Sequence, residues 1–280
     1  PKQRKVVICV AARNEELFIA QCLDSLLDLN YPSGDYSICV ADDGSADKTF
    51  LIVREYALKY PQISVIKVDE TDTRTKGKAR ALAQITDDVD CDFLAFTDAD
   101  VRVTQDWLIN MVSEIDDCAL VSGTTLIKGT DVLGIWQSFD WLFGQLQIQL
   151  SINLFKNCPT AMGNNMLVNS SCYEAIGGYG ELSYSVTEDV SLHNEFAKRG
   201  FHTTMLFGSD FLVYTKSEKS WSDLVQQRLR WLNAVFCLPK LLFTLLVIQN
   251  SYFVFLFVLA FFDFKVALLS VVFKVVLDLA

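Results

Sequence analysis

Histidine is scarce in this sequence, which has only His193 and His202 among its 280 residues. Few imidazoles are therefore available for proton transfer, and carboxylates are the natural candidates for that work. The chain also lacks a basic excess, because 34 acidic residues against 24 basic ones give a net charge of −10. Nucleic-acid binding needs a positively charged face, so we expect no nucleic-acid partner.

C-x-x-C pairs are absent as well, although eight cysteines occur. The cysteines lie far apart, and several fall in apolar runs such as Val6 to Val10, where a small buried thiol fits. This spacing argues against a secreted disulfide scaffold and for reduced thiols in the core. We therefore expect the folded part of the chain to be cytosolic.

Charged residues disappear altogether after Lys240. Leu241 to Phe262 contain no Asp, Glu, Lys or Arg, and a helix of about 22 residues would measure about 33 Å against a hydrocarbon core of about 30 Å. The stretch predicts a transmembrane helix, although Gln249 to Ser251 in its middle leave a buried helical hairpin as the alternative. Val266 to Ala280 resemble the start of a second span, truncated by the end of the chain.

Basic residues just before this stretch indicate its orientation. Arg228, Arg230 and Lys240 precede the apolar run, and positive charge beside a span marks the cytoplasmic side. We therefore expect a membrane protein with a cytoplasmic domain. Its predicted parts are that domain at 1–219, an amphipathic interfacial helix at 220–237 and a transmembrane region at 238–280.

The first 215 residues or so alternate β-rich runs with helical patterns. Strands are predicted at Lys5 to Val10, Tyr36 to Ala41, Ile63 to Val68, Phe93 to Thr97 and Ala119 to Leu126, and helices at Glu15 to Leu29, Ala46 to Tyr60, Lys76 to Ile85 and Gln105 to Ile115. This βαβ order predicts an α/β, Rossmann-like fold with a mostly parallel sheet and helices on both faces. Ligands of such sheets bind at the carboxyl ends of the strands.

Acidic residues follow two of these strands. Asp42 and Asp43 come after the second strand, and Asp98 and Asp100 come after the fourth. The first pair also fits an ordinary turn in which Ser45 caps the next helix. The second pair leaves an apolar strand two residues apart, where the carboxylates repel each other unless a cation or a donor lies between them. Hard divalent ions meet that need, so the pattern predicts a metal-bridged diphosphate.

These pairs belong to a longer series of short motifs, which occur in this order along the chain: Ala11-Ala12-Arg13-Asn14-Glu15, Asp42-Asp43-Gly44-Ser45, Lys76-Gly77-Lys78-Ala79, Asp98-Ala99-Asp100, Gly163-Asn164-Asn165, Thr187-Glu188-Asp189 and Gln227-Arg228-Leu229-Arg230-Trp231. The series resembles glycosyltransferase family 2, in particular its membrane-associated branch, which includes cellulose, chitin and hyaluronan synthases and ceramide glucosyltransferases. Ala11 departs from the proline that the family often has there. The resemblance implies a GT-A fold and inverting sugar transfer from a nucleotide-diphosphate sugar to a polysaccharide or lipid.

The resemblance also implies a donor site. Asp43, with Asp42 beside it, would accept a hydrogen bond from the base, which favours a UDP-sugar. Asp98 would contact the ribose or diphosphate, and Asp100 would bind Mg²⁺ or Mn²⁺ as a Lewis acid. The other expected donor-binding residues are Arg13, Asn14, Lys78, Gln227 and Arg230, although Lys78 equally fits a solvated helix start.

Sugar transfer needs a base that takes the proton of the acceptor hydroxyl, and Asp189 is the candidate. Thr187-Glu188-Asp189 also fits a helix start with Thr187 as its cap, and the two interpretations are compatible. The expected acceptor-binding residues are Gly163, Asn164, Glu188 and Trp231.

The last motif lies in a segment with helical periodicity. Trp221 to Phe236 predict an amphipathic helix that could lie at a membrane interface, and such a helix by itself would account for the Arg and Trp residues of the motif. With the other motifs, Arg230 becomes a diphosphate ligand, because its fork of donors offers two hydrogen bonds at once.

Two other classes stay open. A nucleotidyltransferase also joins an α/β sheet to nucleotide sugars, but such enzymes usually have a glycine-rich loop where this chain has Ala11 to Glu15. A non-catalytic membrane scaffold that binds sugar nucleotides would have no need of Asp100, Asp189 and Arg230.

Overall fold

The computed structural model describes residues 4–87, 89–115 and 117–235, together with the single positions 243, 244, 247, 262, 263, 265, 266 and 270. The chain divides into two compact units, Pro1–Asn233 and Ala234–Ala280. The first unit holds the α/β fold, and few residues of the second are described.

Strands and helices alternate through most of the first unit. The strands are β1 (Val6–Ala12), β2 (Tyr36–Asp42), β3 (Ile63–Lys67), β4 (Phe93–Asp98), β5 (Arg102–Val103), β6 (Leu120–Ser122), β7 (Thr124–Lys128), β8 (Asn165–Asn169), β9 (Thr203–Met205) and β10 (Leu212–Lys216). The helices are α1 (Ile19–Leu27), α2 (Thr49–Lys59), α3 (Gly77–Thr86), α4 (Trp107–Glu114), α5 (Val132–Phe155), α6 (Ser170–Ala175), α7 (Gly178–Glu181), α8 (Glu188–Lys198) and α9 (Trp221–Val235).

The main sheet has seven strands in the order β3-β2-β1-β4-β8-β6-β9. All neighbouring strands run parallel except β8, which is antiparallel to both β4 and β6. The prediction of a mostly parallel sheet is therefore confirmed. A second sheet has the order β5-β10-β7, with β10 parallel to β7 and antiparallel to β5.

Hydrophobic side chains cover both faces of the main sheet. Because successive residues of a strand point to opposite faces, Ile8 and Val10 pack into a core with α1 and α4, whereas Cys9 packs into a second core with α3 and α8. Each aliphatic side chain buried in this way contributes about 1.5–3 kcal/mol. The two cores confirm the prediction of helices on both faces.

One predicted strand is wrong. Ala119 to Leu126 form two strands in different sheets, since the chain leaves β6 at Ser122 and begins β7 at Thr124. A Cβ on the intervening Gly123 would lie 2.5 Å from the backbone carbonyl oxygen of Phe211 and 2.5 Å from the side-chain Nδ2 of Asn165. Only glycine fits this close approach, so the break follows from tertiary packing that strand propensity does not register.

The two predicted membrane spans, Leu241 to Phe262 and Val266 to Ala280, lie almost entirely outside the described residues. Among the helices that are described, none combines the length and the hydropathy that crossing a bilayer requires. The predicted amphipathic helix at Trp221 to Phe236 is present as α9.

Candidate active site

The strand order reverses between β1 and β4, and an open α/β sheet has its ligand crevice at such a switch point. The β1–α1 connection leads to β2 on one side of β1, whereas β4 lies on the other side. Loops at such a switch point diverge and leave room for a ligand. Arg13 to Glu15 follow β1 and Asp98 to Asp100 follow β4, so both segments lie at this opening.

Asp42 ends β2 and Asp43 follows it directly, and both carboxylates are buried. Asp43 lies between two guanidinium groups, with Oδ2 3.6 Å from Nη1 of Arg13 and Oδ1 3.3 Å from Nη2 of Arg80. Asp42 accepts a 3.3 Å hydrogen bond from the backbone N–H of Ser45 through Oδ2, but its buried Oδ1 has no partner in the described part of the chain. A buried acceptor left unpaired costs about 1–3 kcal/mol, so a ligand donor would be favoured there.

Asn14 joins the loops that follow β1 and β2. Its backbone N–H donates to Oγ of Ser45 at 3.0 Å, and its Oδ1 accepts from the N–H of Ala46 at 2.8 Å. Asn14 has φ 56°, a left-handed conformation that asparagine tolerates better than most residues. The side chain therefore positions the crevice wall and is itself exposed.

Lys78, on the first turn of α3, connects two carboxylates from distant segments. Its Nζ lies 2.6 Å from Oδ1 of Asp98 and 2.8 Å from Oε1 of Glu188. Burial by itself would lower the pKa of Lys78, but the two carboxylates outweigh it and hold the pKa well above its usual value. Lys78 is therefore a fixed cation between the end of β4 and the start of α8.

Asp100 pairs with a different lysine, Lys216. Nζ of Lys216 lies 3.4 Å from Oδ2 of Asp100 and 2.8 Å from Oε2 of Glu15, and the hydroxyl of Thr215 donates to Asp100 at 3.4 Å. Burial, followed by the charge of Asp98, raises the pKa of Asp100 to about 6 in spite of Lys216. For Lys216, burial is outweighed by Asp100 and Glu15, which raise its pKa.

These carboxylates fit a divalent cation that shares its ligands with a substrate. No group of three or more His, Cys, Asp or Glu side chains suited to an ion occurs within the described ranges. Mg²⁺ is commonly held by only one or two carboxylates together with substrate phosphates. Burial, followed by the charge of Asp98, raises the pKa of Asp100, and a bound cation would favour its charged form.

Asp189 lies on the first turn of α8 and reaches the loop before β8. Its Oδ2 accepts from the N–H of Gly163 and its Oδ1 from the N–H of Val190, both at 2.8 Å. A Cβ on Gly163 would lie 2.8 Å from Cβ of Asp189, so the contact needs glycine. Burial, followed by the charge of Glu188, raises the pKa of Asp189 to about 6, although Lys78 and the two N–H groups oppose the shift.

The same loop approaches the end of β4 because β8 is antiparallel to it. Thr97 pairs with Asn165, so Gly163 and Asn164 lie at the carboxyl end of β4. Asn164 accepts from Thr97 through its carbonyl oxygen at 3.0 Å and from Thr125 through Oδ1 at 3.1 Å. The structure thus brings the predicted acceptor loop and the predicted base to the strand ends that carry Asp98.

The three site residues predicted on α9, Gln227, Arg230 and Trp231, are apart from the carboxylates at the strand ends. Gln227 donates to Oε1 of Glu218 at 2.8 Å, and the ring of Trp231 packs on Trp141 of α5 at a centroid distance of 4.7 Å. Arg230 is exposed. No contact among the described residues joins these three side chains to Asp98, Asp100 or Asp189.

Sequence reasoning missed Arg80 and Lys216 and gave Glu15 no role. Arg80 lies two residues after Lys78, and this second cation in a helix that begins at Gly77 was a readable signal. Lys216 follows Asp100 by more than a hundred residues, and only the β10–β5 pairing brings β10 beside the strand that follows Asp100. No local pattern could have identified it.

Fold and site together define an α/β protein with paired carboxylates at the strand ends beside its switch point. Two family models match the chain: "Glycosyl transferase family 2" over residues 7–177 and "Glycosyl transferase family group 2" over residues 93–278. The first match covers more than half of the 280 residues. The chain therefore belongs to glycosyl transferase family 2, and its α/β unit is a glycosyltransferase domain.

Similar proteins agree with this assignment. The beta-monoglucosyldiacylglycerol synthase of Trichormus variabilis is 31% identical over 195 residues, which are 67% of this chain and 40% of that protein. A Pyrobaculum calidifontis mannosyltransferase, solved with GDP-Man and Mn²⁺, has a TM-score of 0.62 at 23% identity and covers 80% of this chain and 60% of its own. TarS of S. aureus with UDP-GlcNAc has a TM-score of 0.53 at 18% identity and covers 77% and 59%. The chain thus spans well under two thirds of these proteins, and the two structures share its fold.

Proposed function

We propose that this chain is the catalytic part of an inverting glycosyltransferase that moves a sugar from a UDP-sugar to a hydroxyl of a membrane lipid. The observation that carries the proposal is the bridge formed by Lys78, which ties Asp98 at the end of β4 to Glu188 beside Asp189. A donor held at Asp98 would therefore have its reacting sugar close to a carboxylate whose pKa is raised to about 6.

Asp189 acts as the general base in this proposal. It takes the proton of the acceptor hydroxyl while the acceptor oxygen forms its bond to the anomeric carbon. The bond from that carbon to the diphosphate oxygen breaks on the opposite face, and the nucleoside diphosphate leaves with the electron pair. A single displacement of this kind inverts the anomeric configuration. Gly163 and Asn164 border the acceptor side, and Glu188 supports Asp189 by holding Lys78.

The donor lies along the ends of β1, β2 and β4. A uracil base offers one N–H donor, which would satisfy the unpaired Oδ1 of Asp42, while Arg13 and Arg80 hold Asp43 beside it. Asp100 would hold Mg²⁺ or Mn²⁺, which neutralises charge on the departing diphosphate. The UDP-GlcNAc in TarS and the GDP-Man and Mn²⁺ in the mannosyltransferase support this chemistry.

Two apolar stripes support a lipid acceptor and membership of the membrane-associated branch. Exposed hydrophobic side chains recur mostly at intervals of three, four or seven residues on α5 and α9, at Val132, Ile135, Trp136, Phe139, Leu146, Leu150 and Leu154 and at Trp221, Val225, Leu229 and Leu232. The helices are joined by ring contacts between Trp136 and Trp221 and by the 2.5 Å ion pair of Arg228 with Asp140. Extended apolar surfaces of this kind mark membrane or partner contacts.

In this proposal the residues of α9 have the roles expected from the sequence: Gln227 and Arg230 bind the donor, and Trp231 binds the acceptor. Gln227 contacts Glu218, and Trp231 contacts Trp141 of α5. In this proposal α9 closes over the diphosphate through Arg230, whose exposed guanidinium is free to pair with phosphate oxygens.

A donor panel tests the proposed function. The purified protein is incubated with Mn²⁺, membrane lipids and each of several UDP- and GDP-sugars, and released nucleoside diphosphate is measured. We expect lipid-dependent release of UDP from one UDP-sugar. Release of pyrophosphate from a nucleoside triphosphate and a sugar 1-phosphate, tested in a parallel assay, would instead identify a nucleotidyltransferase. Turnover only with soluble glycans would identify a polysaccharide enzyme, and nucleotide binding without turnover would identify a scaffold.

The apolar stripe of α5 gives a separate prediction. Replacing Phe139, Leu150 and Leu154 together with glutamine should reduce transfer to a lipid acceptor in vesicles by about tenfold or more, because three exposed apolar side chains lose their burial in the bilayer. The matched control is Leu58→Gln, which removes an exposed leucine from α2. UDP affinity should stay unchanged in both variants. Equal lipid-dependent rates for the triple variant and the control would contradict the role of this stripe.

A further inference from the structure

Lys216 is held at the crevice by a close contact with Glu15 and has a longer contact with Asp100. Its Nζ lies 3.0 Å and 2.8 Å from the two carboxylate oxygens of Glu15, and 4.4 Å from the ring centroid of Phe18. The distance to Oδ2 of Asp100 is 3.4 Å, which is long for a charge-assisted hydrogen bond. Lys78 differs, since both of its carboxylate contacts are short.

The backbone on either side of Lys216 is fixed. Lys216 ends β10 in register with Lys128 of β7. Two residues later, the backbone of Glu218 donates to Oε1 of Gln137 at 2.9 Å and accepts from its Nε2 at 3.0 Å. The side chain of Lys216 therefore extends from a rigid support towards Glu15 and Asp100 and remains 31% exposed. The protein itself holds Lys216 in position, so its ammonium group is pre-organised for a ligand.

The negative charges expected at this site need a further positive charge to balance them. A nucleoside diphosphate and a divalent cation together carry a net negative charge, and Asp98 and Asp100 add more. Lys78 is already paired with both Asp98 and Glu188. Lys216 lies next to Asp100, but of its two carboxylate contacts only the one with Glu15 is short.

We propose that Lys216 is a donor-positioning residue that exchanges Asp100 for the diphosphate. Its ammonium group lies beside Asp100, where a divalent cation would bind. When a nucleoside diphosphate binds with a divalent cation, Asp100 becomes available to the cation, while Glu15 and Phe18 keep the ammonium group at the crevice, where it pairs with a diphosphate oxygen. The inference rests on the proposed function, because it needs a diphosphate ligand.

The test compares Lys216→Met with the wild type in two binding measurements. Mn²⁺ binding without nucleotide is followed by electron paramagnetic resonance, and UDP binding at saturating Mn²⁺ is followed by calorimetry. We expect Mn²⁺ alone to bind roughly tenfold more tightly to the variant, because a like charge beside Asp100 is gone. UDP should bind about 10- to 100-fold more weakly, because one charge-assisted hydrogen bond is lost. A purely structural role for Lys216 would not produce these opposite shifts.

The controls separate the causes. Lys219→Met removes an exposed lysine three residues away and should change neither affinity. Lys216→Arg keeps the charge and should restore most of the UDP affinity. Where Lys216→Met does not fold, Lys216→Gln should give the same two shifts.

Two outcomes would overturn the inference. Unchanged UDP affinity in Lys216→Met, or weaker binding of Mn²⁺ alone, would show that Lys216 only neutralises Glu15 and Asp100. Failure of the wild-type protein itself to bind any nucleoside diphosphate would overturn the proposed function, and this inference with it.

Discussion

Asp100→Asn should weaken binding of the Mn²⁺–UDP complex by about 100-fold or more, since loss of even an outer partner of a metal ligand costs 10- to 100-fold. The substitution removes the negative charge of Asp100, which lies 3.4 Å from Nζ of Lys216, and keeps the size of the side chain. Calorimetric titration of UDP with and without Mn²⁺ measures the effect. The loss should appear only in the presence of the metal, because UDP without a cation gains nothing from Asp100.

The same substitution should stabilise the protein at neutral pH. The folded state raises the pKa of Asp100 from 3.8 to about 6. Its contribution to stability is therefore fully present below pH 3.8 and is lost as the pH rises through about 6. At pH 7.5 the charged, largely desolvated carboxylate destabilises the folded state, and asparagine removes this cost. Thermal denaturation should accordingly give a higher Tm for Asp100→Asn at pH 7.5, and the difference should shrink towards pH 4.

Asp90→Asn is the matched control for both measurements. Asp90 is exposed just before β4, whereas Asp100 follows the other end of the same strand. We expect Asp90→Asn to leave both metal-dependent UDP affinity and Tm nearly unchanged. Metal-dependent UDP binding by Asp100→Asn at the wild-type level would remove Asp100 from the metal site. A lower Tm at pH 7.5 would show that the carboxylate stabilises the fold.

Much of the donor side could be predicted because its residues lie directly after predicted strands. Asp42, Asp43, Asp98 and Asp100 needed only the strand ends and the rule that parallel strands expose their carboxyl ends at one edge. The periodic pattern supplied the strand ends to within one or two residues. The placement of Gly163 needed more, because β8 is antiparallel and brings its amino end, not its carboxyl end, to that edge.

The pairing of each carboxylate with its lysine could not be read from the sequence. Lys216 meets Glu15 across about 200 residues of chain, and the meeting depends on β10 lying between β5 and β7. That small sheet exists because Gly123 lets the chain leave β6 and begin β7 in another sheet. A strand pattern that runs unbroken from 119 to 126 hides this step, and with it the route by which Lys216 reaches the crevice.

The contacts of Asp189 also change how a substitution there must be interpreted. Each carboxylate oxygen accepts a backbone N–H, one from Gly163 and one from Val190. Asparagine has one carbonyl oxygen, so its amide N–H₂ would face one of these donors. Asp189→Asn therefore changes the loop before β8 as well as the charge, and its rate alone does not identify a base. The dependence of the rate on pH does.

Asp189→Asn should reduce kcat by about two to four orders of magnitude, the usual contribution of a general base, and leave the donor KM nearly unchanged. In the wild type, burial and Glu188, opposed by Lys78 and the two N–H groups, set the pKa of Asp189 at about 6. Because only the deprotonated form accepts a proton, wild-type kcat should fall tenfold per pH unit below about pH 6, whereas the variant should lose this dependence. Glu195→Gln, which removes another acid from α8, should keep both rate and profile, since its partners Lys198 and Arg199 lie on the helix surface. A slow variant that retained the wild-type decline below pH 6 would leave Asp189 as the residue that positions the Gly163 loop, and another group would be the base.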